Sequence, residues 1–148
     1  MPENFDIKPW LLEKIVLPQN TDHAGVMWHG SYVSWLEEAR IKALSNVGLA
    51  YKKLSAEGFE LPVVELKIKY LLPLLHGEEV MLKSWISPGK GPRWHWKTYF
   101  LNDSDNSAAF ANVDLVLIKK DSLGTHLIRK GPANIVKALI ALQKGPIS

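Results

Sequence analysis

The sequence predicts an α+β fold in which one long helix packs against an antiparallel sheet. Apolar residues recur at helical spacing in one long stretch before residue 48, and beyond residue 60 they recur at alternate positions in five stretches. Short segments rich in Pro, Gly, Asn and Asp separate those five stretches, as in antiparallel sheets. Because helices and strands are grouped along the chain rather than alternating, the α+β class is favoured.

The first elements are a strand, a loop and the long helix. Residues 10–17 form a short apolar run with β-branched members, which predicts a strand that ends at Pro18. The segment 18–30 is rich in turn-forming residues and is expected to be a loop. Ser31 is a suitable N-cap for the helix, and Gly48 is a suitable stop. The apolar stripe of that helix consists of Tyr32, Leu36, Ala39, Ala43 and Val47.

The remaining elements are predicted from the same patterns. A short helix is expected over residues 49–57. Strands are expected over residues 61–72, 79–87, 93–102, 108–120 and 125–129, joined by the short turns of a meander. Pro132 suits the first turn of a final amphipathic helix that runs to about residue 143. The long helix needs a partner for its apolar stripe, and the concave face of a curved sheet is the expected one.

The composition is that of one ordinary globular domain, which we expect to occupy residues 1–148. The absence of cysteine excludes disulfides, thiolate metal sites and a thiol nucleophile, and it is compatible with a cytoplasmic location. The first residues lack the basic and apolar regions of a secretory signal, and no apolar run approaches the ~20 residues of a membrane span. A net charge of +3 suits an anionic ligand but is a weak bias for a nucleic-acid-binding domain. We therefore expect neither a nucleic-acid nor a membrane partner.

Familiar catalytic and cofactor motifs are absent from the sequence. The five histidines are scattered, without the spacing of a site such as H-E-x-x-H, so no metal is predicted. The serine elbow G-x-S-x-G of the α/β-hydrolases is missing, as are the phosphate-binding loop and the dinucleotide-binding glycine pattern. We therefore expect no cofactor, and chemistry that depends on ordinary side chains and backbone amides.

One segment, residues 20–32, combines three features that acyl transfer needs. Asp22 is a carboxylate on the loop that enters the long helix, and Gly25 allows a positive φ or a close backbone approach to a ligand. The first turn of a helix carries unpaired N–H groups and the positive end of the helix dipole. Together these features would supply a base or nucleophile and an oxyanion-stabilising amide. The alternative is structural, since loop Asp and Gly residues often only cap a helix or turn the chain.

The order of residues in this segment also matches a signature of approximately T/C-D-x-x-G-V/I-V-x-H/P-x-x-Y-x-x-W/F-x-E-x-A-R. The matching positions are Thr21, Asp22, Gly25, Val26, His29, Tyr32, Trp35, Glu37 or Glu38, Ala39 and Arg40. A second, weaker landmark is a strand that ends in Pro at residues 69–73 and is followed by a Gly-Glu turn at 77–78. In these features, and in element order over nearly the whole chain, the sequence resembles acyl-CoA thioesterases of the 4-hydroxybenzoyl-CoA thioesterase type, in the hotdog superfamily.

The resemblance implies a hotdog fold, in which a curved antiparallel sheet of five to six strands wraps a long central helix, here with an extra C-terminal helix. It implies a homodimer with active sites between the protomers, or a homotetramer built from two dimers. The family's acidic residue falls on Asp22, near Gly25, and its thioester-polarising amide falls on the backbone N–H of His29. The implied reaction is hydrolysis of an acyl-CoA, in which Asp22 attacks the carbonyl or activates a water. Coenzyme A is then part of the substrate.

Tyr32 and Trp28 flank the catalytic segment and are predicted to contact the substrate. Tryptophan is abundant in this chain, with six residues, and Trp35, Trp94 and Trp96 lie near the other candidate segments. Core packing is the alternative role for these rings. An aromatic acyl group, such as hydroxybenzoyl or dihydroxynaphthoyl, and an aliphatic acyl group both stay open.

Two short basic segments are candidates for the phosphates of coenzyme A. The turn over residues 87–93 contains two glycines with exposed amides, and Lys90 and Arg93 are predicted to meet phosphate groups there. Arg129 and Lys130 form a second small basic site. Exposed charge on a surface loop is the alternative for both segments.

Several alternatives remain at the level of chemistry. The imidazole of His29 either holds water or protonates the leaving thiolate, or it only packs and caps. Glu37 or Glu38 on the helix is a reserve acid/base candidate, although a solvated or ion-paired helix residue is the ordinary role. The competing functions are a hydratase or dehydratase of the same fold and a non-catalytic acyl-CoA-binding module.

Overall fold

The structure is a computed structural model that describes residues 6–147. Residues 1–5 and 148 lie outside the described residues. The N-terminal segment in which no secretory signal is expected is therefore described only from residue 6 onward. The helices are α1 His29–Asn46, α2 Tyr51–Ala56 and α3 Ala133–Lys144. The strands are β1 Trp10–Ile15, β2 Phe59–Glu60, β3 Val63–Tyr70, β4 Glu79–Pro88, β5 Arg93–Leu101, β6 Ser107–Val116, β7 Ile118–Asp121 and β8 Gly124–Leu127.

The described residues contribute five strands to the main sheet. Their order is β1-β4-β5-β6-β3, and every neighbouring pair is antiparallel. Successive hairpins join β4, β5 and β6, as the turn-rich segments predict. β3 departs from the predicted meander, because it pairs with β6 at the far edge and not with β4, the next strand in the chain. The connection from β3 to β4 therefore crosses the end of the sheet, where it meets the loop before α1.

α1 packs against one face of the main sheet. Along β4, β5 and β6 nearly every second side chain is buried, as expected for strands with one covered face. The buried residues of α1 are Ser31, Tyr32, Trp35, Leu36, Ala39, Ala43 and Leu44. They include four of the five residues of the predicted apolar stripe, and Val47, the fifth, is partly buried. Fully burying one side chain such as Leu36 contributes about 1.5–3 kcal/mol, so this contact holds the helix to the sheet.

The start of α1 differs from the prediction. Trp28 is the N-cap, and Ser31 lies inside the first turn. The hydroxyl of Ser31 donates to the backbone carbonyl of Asn20 at 3.0 Å instead of accepting from a helix amide. The prediction that Ser31 caps the helix is therefore wrong, because its hydroxyl fastens the preceding loop.

β2, β7 and β8 form a second, smaller sheet. The predicted strand over 108–120 is divided at the buried Leu117, after which β7 leaves the main sheet and pairs with β2 and β8. Pro132 is the N-cap of α3. Trp10 Nε1 donates to the carbonyl of Leu142 at 2.9 Å, which attaches α3 to β1. None of the helices within residues 6–147 combines the length and apolar character that crossing a membrane requires.

The outer face of the main sheet carries a polar cluster on β3, β5 and β6. Arg93 Nη1 donates to Glu65 Oε2 at 2.8 Å and to Asp114 Oδ2 at 3.1 Å. His95 Nδ1 lies 2.5 Å from Asp114 Oδ1, and His95 Nε2 lies 3.1 Å from Asn112 Oδ1. Burial by itself would raise the pKa of Asp114, but the hydrogen bonds from His95 and Arg93 outweigh burial and hold that pKa below its ordinary value.

Asp114 is expected to stabilise the fold in a pH-dependent way. Because its pKa is lowered in the folded state, the carboxylate adds stability above the pKa of the unfolded chain, near 3.8, and this stability is lost as the pH falls through the folded-state pKa. Asp114→Asn should be less stable than the parent at about pH 6, and the difference should shrink at about pH 3. Urea unfolding at both pH values measures the difference, and an equal difference at both would contradict the expectation.

Candidate active site

The loop before α1 is a small hairpin. Thr21 and Met27 form an antiparallel bridge, and the amide of Asp22 donates to the carbonyl of Val26 at 2.8 Å. The amide of Gly25 donates to the carbonyl of Asp22 at 3.1 Å, and Gly25 has a φ of 78°, in the left-handed region that favours glycine. Gly25 therefore closes the turn that presents Asp22.

The carboxylate of Asp22 is exposed and is oriented by the loop's own backbone. Oδ1 accepts hydrogen bonds from the amides of Ala24 at 2.9 Å and Val26 at 3.1 Å. Within residues 6–147 no hydrogen bond involves Oδ2, which leaves that oxygen for a substrate or a water. The geometry is that of an Asx turn, the structural alternative considered for this residue. The two roles are compatible, since the turn fixes one carboxylate oxygen and presents the other.

The hairpin is fastened to the connection between β3 and β4. The amide of Met27 donates to the carbonyl of Leu74 at 2.8 Å, and the amide of His76 donates to the carbonyl of Gly25 at 3.1 Å. Leu74 is fully buried, so the attachment point belongs to the core. The crossing connection thus holds the loop that carries Asp22 in place.

His29 is the first residue of α1, so its amide lies at the positive end of the helix dipole. In the described part of the chain, the amides of His29 and Gly30 have no hydrogen-bond partner. Just before the helix, the amide of Trp28 donates to the carbonyl of Asn20 at 3.1 Å, which keeps the start of α1 against the loop. The Asp22 turn and the unpaired amides therefore belong to one hydrogen-bonded unit, and unpaired amides at a helix start are of the kind that can stabilise an oxyanion.

A groove of about 430 Å³ opens beside His29, between the first turn of α1 and the segment after β3. Its walls are Val26, Met27, His29, Tyr32, Tyr70, Leu71, Leu72 and Pro73. Apolar and aromatic walls next to a few polar groups are typical of small-molecule sites. The groove therefore has the walls of a site for an apolar group.

Tyr32 is the predicted substrate residue that lines this groove. Its ring meets Tyr70 edge-on, with 4.9 Å between centroids, and tilts against Phe100 at 5.1 Å. Burial raises the pKa of Tyr32 to about 12, helped by the nearby Tyr70 and Glu78. The phenol therefore stays protonated at neutral pH, which excludes it as a base, and its ring is a packing surface in the groove.

The indole of Trp28 folds back over the first turn of α1. Its ring meets the ring of His29 edge-on, with 5.1 Å between centroids. Gly30 makes room for it, since a Cβ at that position would lie 2.2 Å from Trp28 Cη2. Trp28 is half-exposed and lies next to the unpaired amides, although it does not line the groove itself.

The predicted phosphate-binding residues lie at the other end of the main sheet. Lys90 is exposed in the turn between β4 and β5, and Arg93 begins β5, whereas the Asp22 loop is attached near the start of β4. The nine residues of β5 span about 27 Å between these two ends. Arg93 is already paired with Glu65 and Asp114. The structure therefore does not bring Lys90 and Arg93 to Asp22 within one protomer.

The reserve carboxylates on α1 are also distant from the groove. Glu38 Oε1 accepts from Lys14 Nζ at 3.2 Å, which is the ion-paired alternative for this residue. Glu37 lines a different cavity together with Arg40. Both lie about 12–14 Å beyond His29 along the helix axis. Across residues 6–147, no group of three or more His, Asp or Glu side chains could hold a metal ion.

The second basic segment and the other tryptophans named as candidates do not line the groove beside His29. Arg129 and Lys130 are exposed beyond β8. Trp35 and Trp94 are buried in the core and do not line the groove beside His29. These rings therefore have the packing role that was the alternative for them.

Sequence reasoning missed the wall of the groove opposite α1. Tyr70, Leu71 and Leu72 are more than a third exposed although they are large and apolar. The signal was present, because these residues form the second landmark at 69–73, which was noted only as a family feature. A run of exposed apolar residues at the end of an edge strand would have indicated a binding surface.

Comparison with known proteins identifies the family. The family model described as the thioesterase-like superfamily matches residues 16–139, from the end of β1 into α3. The chain belongs to this superfamily. Membership confirms the resemblance stated from the sequence and the hotdog fold that it implied, and thioester hydrolysis is the class of reaction that it supports.

Individual relatives of this thioesterase-like chain agree with the assignment. A provisionally named esterase of Synechocystis is 28% identical over 130 residues, which cover 87% of this chain and 77% of that protein. A provisionally named acyl-CoA thioesterase of Bacillus subtilis is 26% identical over 110 residues, which cover 74% and 80% of the two chains. The crystal structure of a DHNA-CoA thioesterase from Staphylococcus aureus has a TM-score of 0.79 and 26% identity, over 90% of this chain and 89% of that one.

The contact between Trp28 and Gly30 can be tested directly. In Gly30→Ala the new methyl group should displace the indole, because no Cβ fits 2.2 Å from an aromatic carbon. Acrylamide quenching of tryptophan fluorescence should increase in the variant as Trp28 becomes more accessible. The same substitution in a Trp28→Phe background should leave the quenching unchanged, and an increase there would assign the effect to another tryptophan.

Proposed function

We propose that this chain is an acyl-CoA thioesterase that releases a free acid and coenzyme A. The observation that carries the proposal is the Asp22 carboxylate, held by one oxygen in a turn that leads directly into the unpaired amides of α1. A groove with apolar walls lies beside those amides. These are the groups that thioester hydrolysis requires: an activated oxygen, donors for the developing oxyanion and a place for the acyl group.

In the proposed reaction the thioester oxygen accepts a hydrogen bond from the His29 amide. Asp22 Oδ2 then attacks the carbonyl carbon and gives a mixed anhydride, which water hydrolyses, or it removes a proton from a water that attacks instead. In both routes the C–S bond breaks and coenzyme A leaves as a thiolate that takes up a proton. Losing one oxyanion donor typically costs about 3–4 kcal/mol in the transition state. The exposed imidazole of His29 is our candidate proton donor to the thiolate.

For the acyl group we propose an aromatic ring, with hydroxybenzoyl and dihydroxynaphthoyl groups as the first candidates. The edge-on contact of Tyr32 with Tyr70 provides ring surfaces in the groove, and Leu71 and Leu72 extend it. Trp28, beside the groove, is placed to cover the thioester. Water and these side chains suffice for the reaction, so we propose no cofactor. We also propose that the enzyme is cytoplasmic.

We also propose that the enzyme works as a homodimer, or as a dimer of dimers. Every residue of the edge strand β3 except Ile68 is exposed, and the exposed side chains include Val63, Leu66 and Tyr70. An edge strand with apolar side chains is a template for pairing with another chain. A two-fold antiparallel pairing of β3 would bring the Lys90 turn of one subunit to the same end of the joined sheet as the Asp22 loop of the other. Lys90 would then reach a phosphate of coenzyme A, which it does not reach within one protomer.

The role of Asp22 is tested by Asp22→Asn, which keeps size and hydrogen bonding but removes the charge. We expect kcat to fall about a hundredfold or more, with release of thiol from benzoyl-, hydroxyaryl-, short- and medium-chain acyl-CoAs as the measurement. Asp121→Asn is the matched control, because Asp121 Oδ1 accepts from the amide of Leu123 in a similar turn far from the groove. Equal activity of the parent and Asp22→Asn would exclude Asp22, and no hydrolysis by the parent would exclude the thioesterase.

The proposed dimer is tested at the edge of the sheet. Leu66→Glu on β3 should shift the protein toward monomer in analytical ultracentrifugation, because a buried carboxylate at the paired edge is unfavourable. Leu11→Glu on β1, the opposite edge strand, is a control of similar exposure, with 39% for Leu66 and 48% for Leu11. A parent that sediments as a monomer, or a Leu66→Glu variant with the parent's sedimentation, would contradict pairing through β3.

A further inference from the structure

Three polar side chains are almost fully buried within residues 6–147, and all three carry a hydroxyl: Ser31, Ser84 and Thr98. The hydroxyls of Ser84 and Thr98 lie 2.8 Å apart on β4 and β5, so these two satisfy each other inside the core. The hydroxyl of Ser31 instead donates at 3.0 Å to the backbone carbonyl of Asn20, in the loop that carries Asp22. Because a buried hydroxyl is unfavourable without a hydrogen bond, this bond fixes where the loop meets α1.

The carbonyl of Asn20 is the junction between the loop and α1. It accepts a second hydrogen bond, at 3.1 Å, from the amide of Trp28, the residue that precedes the helix. The side chain of Asn20 is held as well, because its Oδ1 accepts from the amide of Leu17 at 2.9 Å. Only one residue separates Asn20 from Asp22, so a displacement of this carbonyl is passed directly to the turn that presents the carboxylate.

The two parts of the candidate site are otherwise held by different parts of the molecule. The unpaired amide of His29 moves with α1, which is packed against the main sheet. The hairpin with Asp22 is attached to the crossing connection, where the amide of Met27 donates to the carbonyl of Leu74. The bond from Ser31 spans these two parts, and it therefore controls the separation of the carboxylate from the oxyanion donor.

Small changes in that separation matter for the proposed reaction. A misplacement of about 1 Å is enough to slow an enzymatic reaction about a hundredfold. When the hydroxyl of Ser31 is removed, the amide of Trp28 still holds Asn20, so the displacement and the loss of rate should be partial. Ser31 does not line the groove beside His29, so binding of the acyl group should hardly change.

We propose that Ser31 is a positioning residue, whose hydroxyl acts through Asn20 to hold the Asp22 carboxylate in register with the His29 amide. The inference rests on the proposed thioesterase function. The hydroxyl contacts neither the groove nor the carboxylate, so its effect falls on kcat and not on KM.

The first experiment measures kcat and KM for the most rapidly hydrolysed acyl-CoA in the parent and three variants. In Ser31→Ala, kcat should fall about tenfold while KM stays within about twofold of the parent's value. Ser31→Thr keeps the hydroxyl and should recover most of the lost kcat. Ser84→Ala is the matched control, because it removes a hydroxyl of similar burial from the middle of β4.

The control separates positioning from stability. Urea unfolding should show that Ser31→Ala and Ser84→Ala are both less stable than the parent, since each loses a buried hydrogen bond. Only Ser31→Ala should lose kcat. An unchanged kcat in Ser31→Ala, or an equal loss of kcat in both alanine variants, would overturn the positioning role.

A second experiment does not depend on catalysis. Hydrogen exchange followed by NMR compares the amide of Trp28, which donates to Asn20, with the amide of Met27, which donates to the core residue Leu74. In Ser31→Ala the exchange of Trp28 should become about tenfold faster relative to Met27, because opening of the junction no longer breaks the hydroxyl bond. In Ser84→Ala this ratio should stay that of the parent.

The two experiments distinguish failure of the inference from failure of the proposed function. If the parent hydrolyses no acyl-CoA but the exchange ratio changes in Ser31→Ala, the function fails while the link between α1 and the loop stands. If acyl-CoA is hydrolysed and the exchange ratio changes without a loss of kcat, the positioning role fails while the function stands. An exchange ratio that does not respond to Ser31→Ala contradicts the link itself.

Discussion

Burial of α1 against the inner face of the main sheet is the contact on which the rest of the structure depends. No side chain caps the N-terminus of this helix, so no capping hydrogen bond adds to its stability. The helix is held instead by side chains such as Trp35 and Leu36, which are almost fully buried. Because tertiary packing supplies the stability, the first turn is able to keep unpaired amides at His29 and Gly30. A side-chain cap at position 28 would have accepted from the amide of Gly30 or Ser31 and so have occupied the space beside the His29 amide.

The placement of β3 explains how the site is held in position. If β3 paired with β4, a short hairpin would join them and the end of the sheet would be open. Since β3 lies beside β6 instead, the connecting segment has to cross that end, and the buried Leu74 accepts a hydrogen bond from the loop that carries Asp22. The same crossing brings Leu71 and Leu72 opposite the first turn of α1. One choice of strand order therefore positions both the candidate catalytic loop and the wall of the groove.

Local sequence patterns predicted the helices, the strands and the loop before α1. They did not predict which strands pair over long distances in the chain. The alternation along β4 and β5 and the apolar stripe of α1 are each contained in one short stretch of sequence. The elements and the α+β class could therefore be predicted, and so could the loop that joins Asp22, Gly25 and His29. The pairing of β3 with β6 depends on contacts between residues about 40 to 50 positions apart, which no turn signal encodes. Arg93 was predicted as a phosphate contact because it is a cation in a turn whose two glycines were expected to expose backbone amides. Its partners Glu65 and Asp114 lie on other strands, so only the strand pairing of the sheet shows that Arg93 is already ion-paired.

The turn that carries Lys90 and the loop that carries Asp22 lie at opposite ends of the main sheet. The nine residues of β5 span about 27 Å between these ends. Lys90 lies where β5 begins, whereas Asp22 and its groove lie at the other end. In the proposed dimer a two-fold axis through β3 would exchange these ends, so that the Lys90 turn of each subunit would lie at the same end as the other subunit's groove. The proposed axis passes through β3 because nearly all residues of this edge strand are exposed, whereas β1, the edge strand on the opposite side, buries Trp10 and Leu12 against the core.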